Sequence, residues 1–174
     1  MTDPTPLRTA AEQELCAPAE SLLNQPLHPK IRALTEYWMS IRPAGRLPSR
    51  RDFEPLDVPV LLPNIWLVDV ERDPHVRLRY RLIGTSVARA FDADPTGKYL
   101  EDTHPESRDR QVRIYMREVV RDRMPAWRVG QPMLWQLQDY LRLERIYLPM
   151  AADGETVDMI LALTVFVDRF DTEF

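Results

Sequence analysis

The sequence predicts an α+β domain: a five-stranded antiparallel sheet with helices inserted after the second strand and one helix ahead of the first. Three features predict it. Ile31, Leu34, Trp38 and Ile41 recur at helical spacing. Val76, Leu78, Tyr80 and Leu82 alternate with Arg77, Arg79 and Arg81, as a half-buried strand requires. Asp153-Gly154 parts two apolar runs, a strong hairpin signal.

Residues 1–28 are rich in Pro, Ala and polar residues and read as a flexible extension, a docking or dimerising arm. Its one helical pattern, Ala10 to Leu23, is interrupted by Pro18. From Pro29, suited to a first helical turn, the amphipathic stripe begins, and Pro43 with Gly45 ends it. The stretch LPSRRDFEPLDVPVLLPN has prolines at 48, 55, 59 and 63, so it is expected to wrap the domain's edge, with a short turn around Leu56 to Leu62. Ile65 to Val70 is the first strand, Arg72 to His75 a turn, and the alternating segment the second strand.

A short helical segment opens at Gly84-Thr85 and runs through Phe91, and DADPTGKYL supplies a tight connection. Between Glu106 and Arg123, residues Val112, Tyr115, Met116, Val119 and Val120 form the apolar face of a longer helix, stopped by Pro125. Three strands follow: around Trp127 to Trp135, Tyr140 to Met150, and Val157 to Val167. The domain is thus expected over residues 29–168, followed by a short tail at 169–174.

Composition narrows the function. With 174 residues, 44% hydrophobic and 29% charged, the chain suits one globular domain. A net charge of −4 speaks against non-specific nucleic-acid binding. The arginines from Arg108 to Arg128 read as a solvated helix face, since Glu106 precedes Arg110 and Asp109 precedes Arg113 at pair-forming spacing. The single cysteine, Cys16, excludes an internal disulfide and a CxxC redox pair, which fits a reducing cytoplasm. There is no signal-peptide pattern and no apolar run long enough for a membrane span. No HExxH, GxSxG or GxGxxG is present, and no Ser, His and Asp set stands out, so the chain is expected not to be an enzyme.

The joint spacing of several short signals resembles a family of proteobacterial single-domain PAS proteins. These signals are Tyr37-Trp38 with Arg42, Leu47-Pro48-Ser49-Arg50 with Asp52 and Pro55, Leu62-Pro63 and Asp69. They continue with Arg81, Gly84-Thr85, Asp94, Thr96-Gly97, Leu148-Pro149 and Asp153-Gly154. The resemblance covers roughly residues 30–168 and implies a sheet and short helices enclosing a small cavity. It implies a cytoplasmic regulatory domain acting through a signalling protein partner, with or without a small ligand. The alternative is a module that captures an apolar or aromatic metabolite.

A cavity of that kind would be walled by Tyr80, Leu82, Tyr115, Val119, Trp127, Ile146, Leu148 and Ile160, although each also reads as ordinary packing. The cofactor is left open. Haem would need a histidine on the long helix, and the nearest, His104, sits in THPES as a loop residue entering that helix. A photoactive flavin would need a cavity cysteine, and Cys16 falls in the extension. Arg50 and Asp52 read as an ion pair pinning the Pro-rich segment, and Gly84 and Gly97 as backbone requirements. With only DRFDTEF after Val167, any signal is expected to leave through a surface, either the outer face of the sheet or the N-terminal helix. Ile31 and Trp38 are the residues through which that helix would form a homodimer.

Overall fold

A computed structural model describes residues 13–91, 94–103, 109–130, 142–168 and 172–173. Helix α1 (Ala19–Leu22) and helix α2 (Pro29–Ser40) precede the main strands. Strands β2 (Ile65–Glu71) and β3 (Arg77–Ile83) are followed by α3 (Thr85–Phe91), α4 (Leu100–Thr103) and α5 (Asp109–Asp122). Strands β4 (Ala126–Gly130), β5 (Arg142–Met150) and β6 (Met159–Val167) complete the predicted five. The part of the third predicted strand beyond Gly130, including Trp135, lies outside the described residues.

The sheet has six strands, not five. Strand β1 (Gln13–Cys16) pairs antiparallel with β4, giving the order β1-β4-β5-β6-β2-β3 with every neighbouring pair antiparallel. The described part of the extension is therefore not loose. Gln13 to Cys16 takes backbone pairing from β4, and Ala19 and Leu22 on α1 are fully buried. The prolines that suggested disorder only bound the elements: Pro18 caps α1 and Pro29 opens α2. Glu173 is held as well, its Oε1 2.5 Å from Lys30 Nζ.

Residues opposite one another in a ladder share a face of the sheet. Trp127, Ile146 and Leu163 fall in one such row with Ile65, and Leu148 and Leu161 in another with Leu67. Helix α2 covers this face, burying Ile31, Leu34 and Trp38 over β5 and β6. The other face carries Tyr80, Val68 and Ile160 in one row, and Trp66, Ala162, Tyr147 and Ala126 in the next. It faces α4 and α5.

Both faces of the central strands are thus covered, which is why β6 is apolar but for Thr164, with every residue buried. The same fact corrects the dimer expectation. Ile31 and Trp38 are fully buried within their own domain and are not offered to a second copy, and the outer face of the sheet lies under α2.

The family-like signals are latches of this covering layer. Trp38 Nε1 donates to Pro149 O at 3.0 Å, and Arg42 stacks over the Trp38 ring. Leu47 N donates to Gly154 O, and Ala151 N to Pro48 O, fixing the Pro-rich segment to the β5–β6 turn. Arg50 and Asp52 do not pair. Arg50 donates to Phe53 O and Asp52 accepts from Ser49 N, so each closes a local turn. Gly84 meets a close approach: a Cβ there would collide with the carbonyl oxygens of Leu62, Pro63 and Ile65. Gly97 takes φ +84°. On the far side of β3, Tyr80 N donates to Lys98 O and Gly97 N to Tyr80 O.

A buried polar row as the candidate functional site

Strand polarity explains where the interior chemistry comes from. Reading across the sheet, Glu14 of β1, Arg128 of β4, Arg145 of β5 and Thr164 of β6 stand directly opposite one another in register. They form one row on the face toward α4 and α5. Arg128, Arg145 and Thr164 are all buried.

Two guanidinium groups therefore sit side by side on adjacent strands, an arrangement that costs free energy unless each is compensated. Arg128 is compensated: its Nε lies 3.1 Å from Glu14 Oε1, and its guanidinium stands 5.3 Å from the centroid of the Tyr115 ring. Arg145 is 4% exposed, forms no ion pair among the described residues, and its Nε has no hydrogen-bond partner there.

Polar and aromatic groups gather beside Arg145. Tyr147, two residues along β5 and so on the same face, is completely buried, and its hydroxyl has no partner among the described residues. The Trp66 ring lies 6.0 Å from Tyr147 and 5.9 Å from Tyr80, and its Nε1 donates to Thr164 Oγ1. Burial raises the Tyr80 phenol well above its ordinary pKa, so Tyr80 keeps its proton at physiological pH. The charges of both Arg145 and Glu101 act on that phenol, which places the two near one side chain. Glu101, on α4, has both carboxylate oxygens buried without a hydrogen-bond donor among the described residues, and Arg117 Nη2 is 3.8 Å from it.

The eight residues expected to wall a cavity divide between the two faces. Tyr80 and Ile160 stand on the α4–α5 face, with Tyr115 and Val119 on α5. Trp127, Ile146 and Leu148 stand on the α2 face, so they pack the opposite side of the sheet. Leu82 is the instructive error. Simple alternation puts it with Tyr80, but a register shift in the β2–β3 ladder pairs Tyr80 with Val68 and Leu82 with Leu67. The extra residue, Arg81, turns Leu82 over to the other face, where it is 46% exposed.

Sequence reasoning missed Arg145, Tyr147, Trp66, Arg128 and Glu101. A signal was present: Arg145 and Tyr147 interrupt a strand, RLERIYLPM, whose neighbour in the sheet is apolar except for Thr164. His104 lies outside the described residues. Cys16 is in the sheet rather than outside the domain. Its register with Ala126 puts it on the α5 side, where burial and the Asp122 and Glu118 carboxylates raise its thiol pKa. Among the described residues no three His, Cys, Asp or Glu side chains gather as a metal site.

An antiparallel sheet with helices α4 and α5 on one face and helix α2 on the other is the architecture of a PAS-like α+β module. A family model described as PAS domain matches residues 27–165, and the chain belongs to that family. Strand β1 and helix α1 precede the matched region. Comparison with curated proteins and with solved structures found no match. Among the described residues no helix is long and apolar enough to cross a membrane.

Proposed function

We propose that this protein is a non-enzymatic regulatory sensor that takes a small ligand between the sheet and helices α4 and α5 and reports through a signalling protein partner in the cytoplasm. The observation that carries the ligand half is the set of buried polar atoms without hydrogen-bond partners among the described residues: Arg145 Nε, the Tyr147 hydroxyl and both Glu101 carboxylate oxygens. A core that merely filled space would use apolar side chains at these positions, since buried polar groups almost always find partners. The same groups argue against a wholly apolar metabolite and narrow the alternative reading to a ligand with polar ends.

The partner half rests on the surface. With Ile31 and Trp38 buried, the most exposed large apolar side chains among the described residues are Leu56 and Val60, at 79% and 73%, on the Pro-rich segment outside α2. Native mass spectrometry of freshly purified protein tests the proposal. A mass above that of the chain, lost on denaturation, supports the ligand half. A bare chain that also shows no thermal shift with any small molecule refutes it and leaves a protein-binding adaptor.

A further inference from the structure

We infer that the ligand is a small organic acid whose carboxylate is held by Arg145 and the Tyr147 hydroxyl, and whose opposite end donates a hydrogen bond to Glu101. The inference rests on the reading of the interior as a ligand site and adds the ligand's chemistry.

Charge balance across the polar row carries it. Two buried guanidiniums face one another across β4 and β5, and the row supplies one carboxylate, Glu14, which lies against Arg128. Thr164, on the other side of Arg145, offers a hydroxyl that already accepts from Trp66 Nε1. A guanidinium cannot shed its proton in a protein, so burial cannot neutralise it as it would a lysine. An arginine this deeply buried calls for an anion, and a carboxylate matches its planar, forked donor geometry.

Tyr147 fixes where that anion sits. Its hydroxyl and the Arg145 side chain project from the same face of β5, two residues and about 7 Å apart at their Cα atoms. A carboxylate between them accepts from both. Glu101 sets the other end, because a carboxylate only accepts and its oxygens have no hydrogen-bond donor among the described residues, Arg117 standing 3.8 Å off. The rings of Trp66 and Tyr80 lie beside these groups and suit a flat body between the two ends.

Arg145→Met supplies a readout that needs no guess at the ligand. In exhaustively dialysed protein, confirmed empty by mass spectrometry, removing an uncompensated buried charge should raise Tm by roughly 5 °C. A fall in Tm would show that the protein itself satisfies the guanidinium and would overturn the inference. Tyr147→Phe is the milder second variant: unchanged or raised Tm is expected, and a fall of several degrees counts against an unpaired hydroxyl.

Calorimetric titration then uses 4-hydroxybenzoate and its neutral analogue 4-hydroxybenzamide as probes. The acid should bind on the order of tenfold or more tightly than the amide, and Arg145→Met should erase that difference. Equal binding of acid and amide would sink the anion while leaving the ligand reading in place. Absence of binding by either, together with a lower Tm for Arg145→Met, would make the interior a filled core and remove both.

Discussion

Glu144 offers a sharp test of how the sheet's two faces are divided. It stands on β5 next to Arg145 in sequence but on the opposite face, buried under α2. Its Oε1 accepts from His28 N at 2.8 Å and from Trp127 Nε1 at 2.9 Å. One atom thus ties the start of α2 to β4. Glu144→Ala leaves two donors without an acceptor, at about 1–3 kcal/mol each, and relief from burying a carboxylate offsets part of that. We expect a net loss of about 3 kcal/mol, read as a lower urea midpoint at unchanged slope.

Glu144→Gln keeps an oxygen for both donors and should cost only about 1 kcal/mol. Trp127→Phe, combined with Glu144→Ala, should show a coupling of about 1–2 kcal/mol. Because Trp127 packs on the α2 side, Trp127→Phe should leave 4-hydroxybenzoate binding unchanged. The reasoning fails if Glu144→Ala costs less than 1 kcal/mol, if Gln costs as much as Ala, or if Trp127→Phe weakens the probe as Arg145→Met does.

Leu22→Ala tests whether the segment ahead of the family match belongs to the core: its side chain is fully buried, so a loss of about 2–4 kcal/mol in urea unfolding is expected, whereas a loose arm would give almost none. For pH dependence, the Asp153 carboxylate accepts from Glu155 N and Thr156 N, and these bonds hold its pKa at about 2. Its stabilising effect is present above the ordinary carboxylate pKa and is lost as pH falls through about 2, so wild type and Asp153→Ala should converge in stability between pH 4 and 2. An Asp153 titration by NMR centred near 4 would contradict that turn geometry.

The elements were legible in the sequence because periodicity reports burial of a face, and α2, β3 and α5 each carry a clean one. The family-like dipeptides were legible for a related reason. Trp38 with Pro149, and Leu47-Pro48 with Gly154, are neighbours whose contacts fix α2 and the Pro-rich segment to the sheet. They report the covering layer and say little about the interior. The interior depends on which residues share a row across β1, β4, β5 and β6, a register that periodicity within one strand does not determine. Leu82 shows the cost of a single inserted residue. Strand β1 escaped for want of length: at four residues, two exposed and two half-buried on opposite faces, it has no pattern to read.

The backbone pairing of Tyr80 with Lys98 and Gly97 bears on how a partner can attach. β3 is the last strand on its side of the sheet, and the end of a sheet ordinarily invites a peptide to lie alongside and extend it. Here the middle of that margin is already occupied by the chain's own turn. The flanking arginines are engaged as well, Arg77 with Asp102, Arg79 with Asp69 and Glu71, and Arg81 with Asp69. Recognition at this margin must therefore work through side chains on a finished surface, and crowding in a concentrated solution should not knit copies together there.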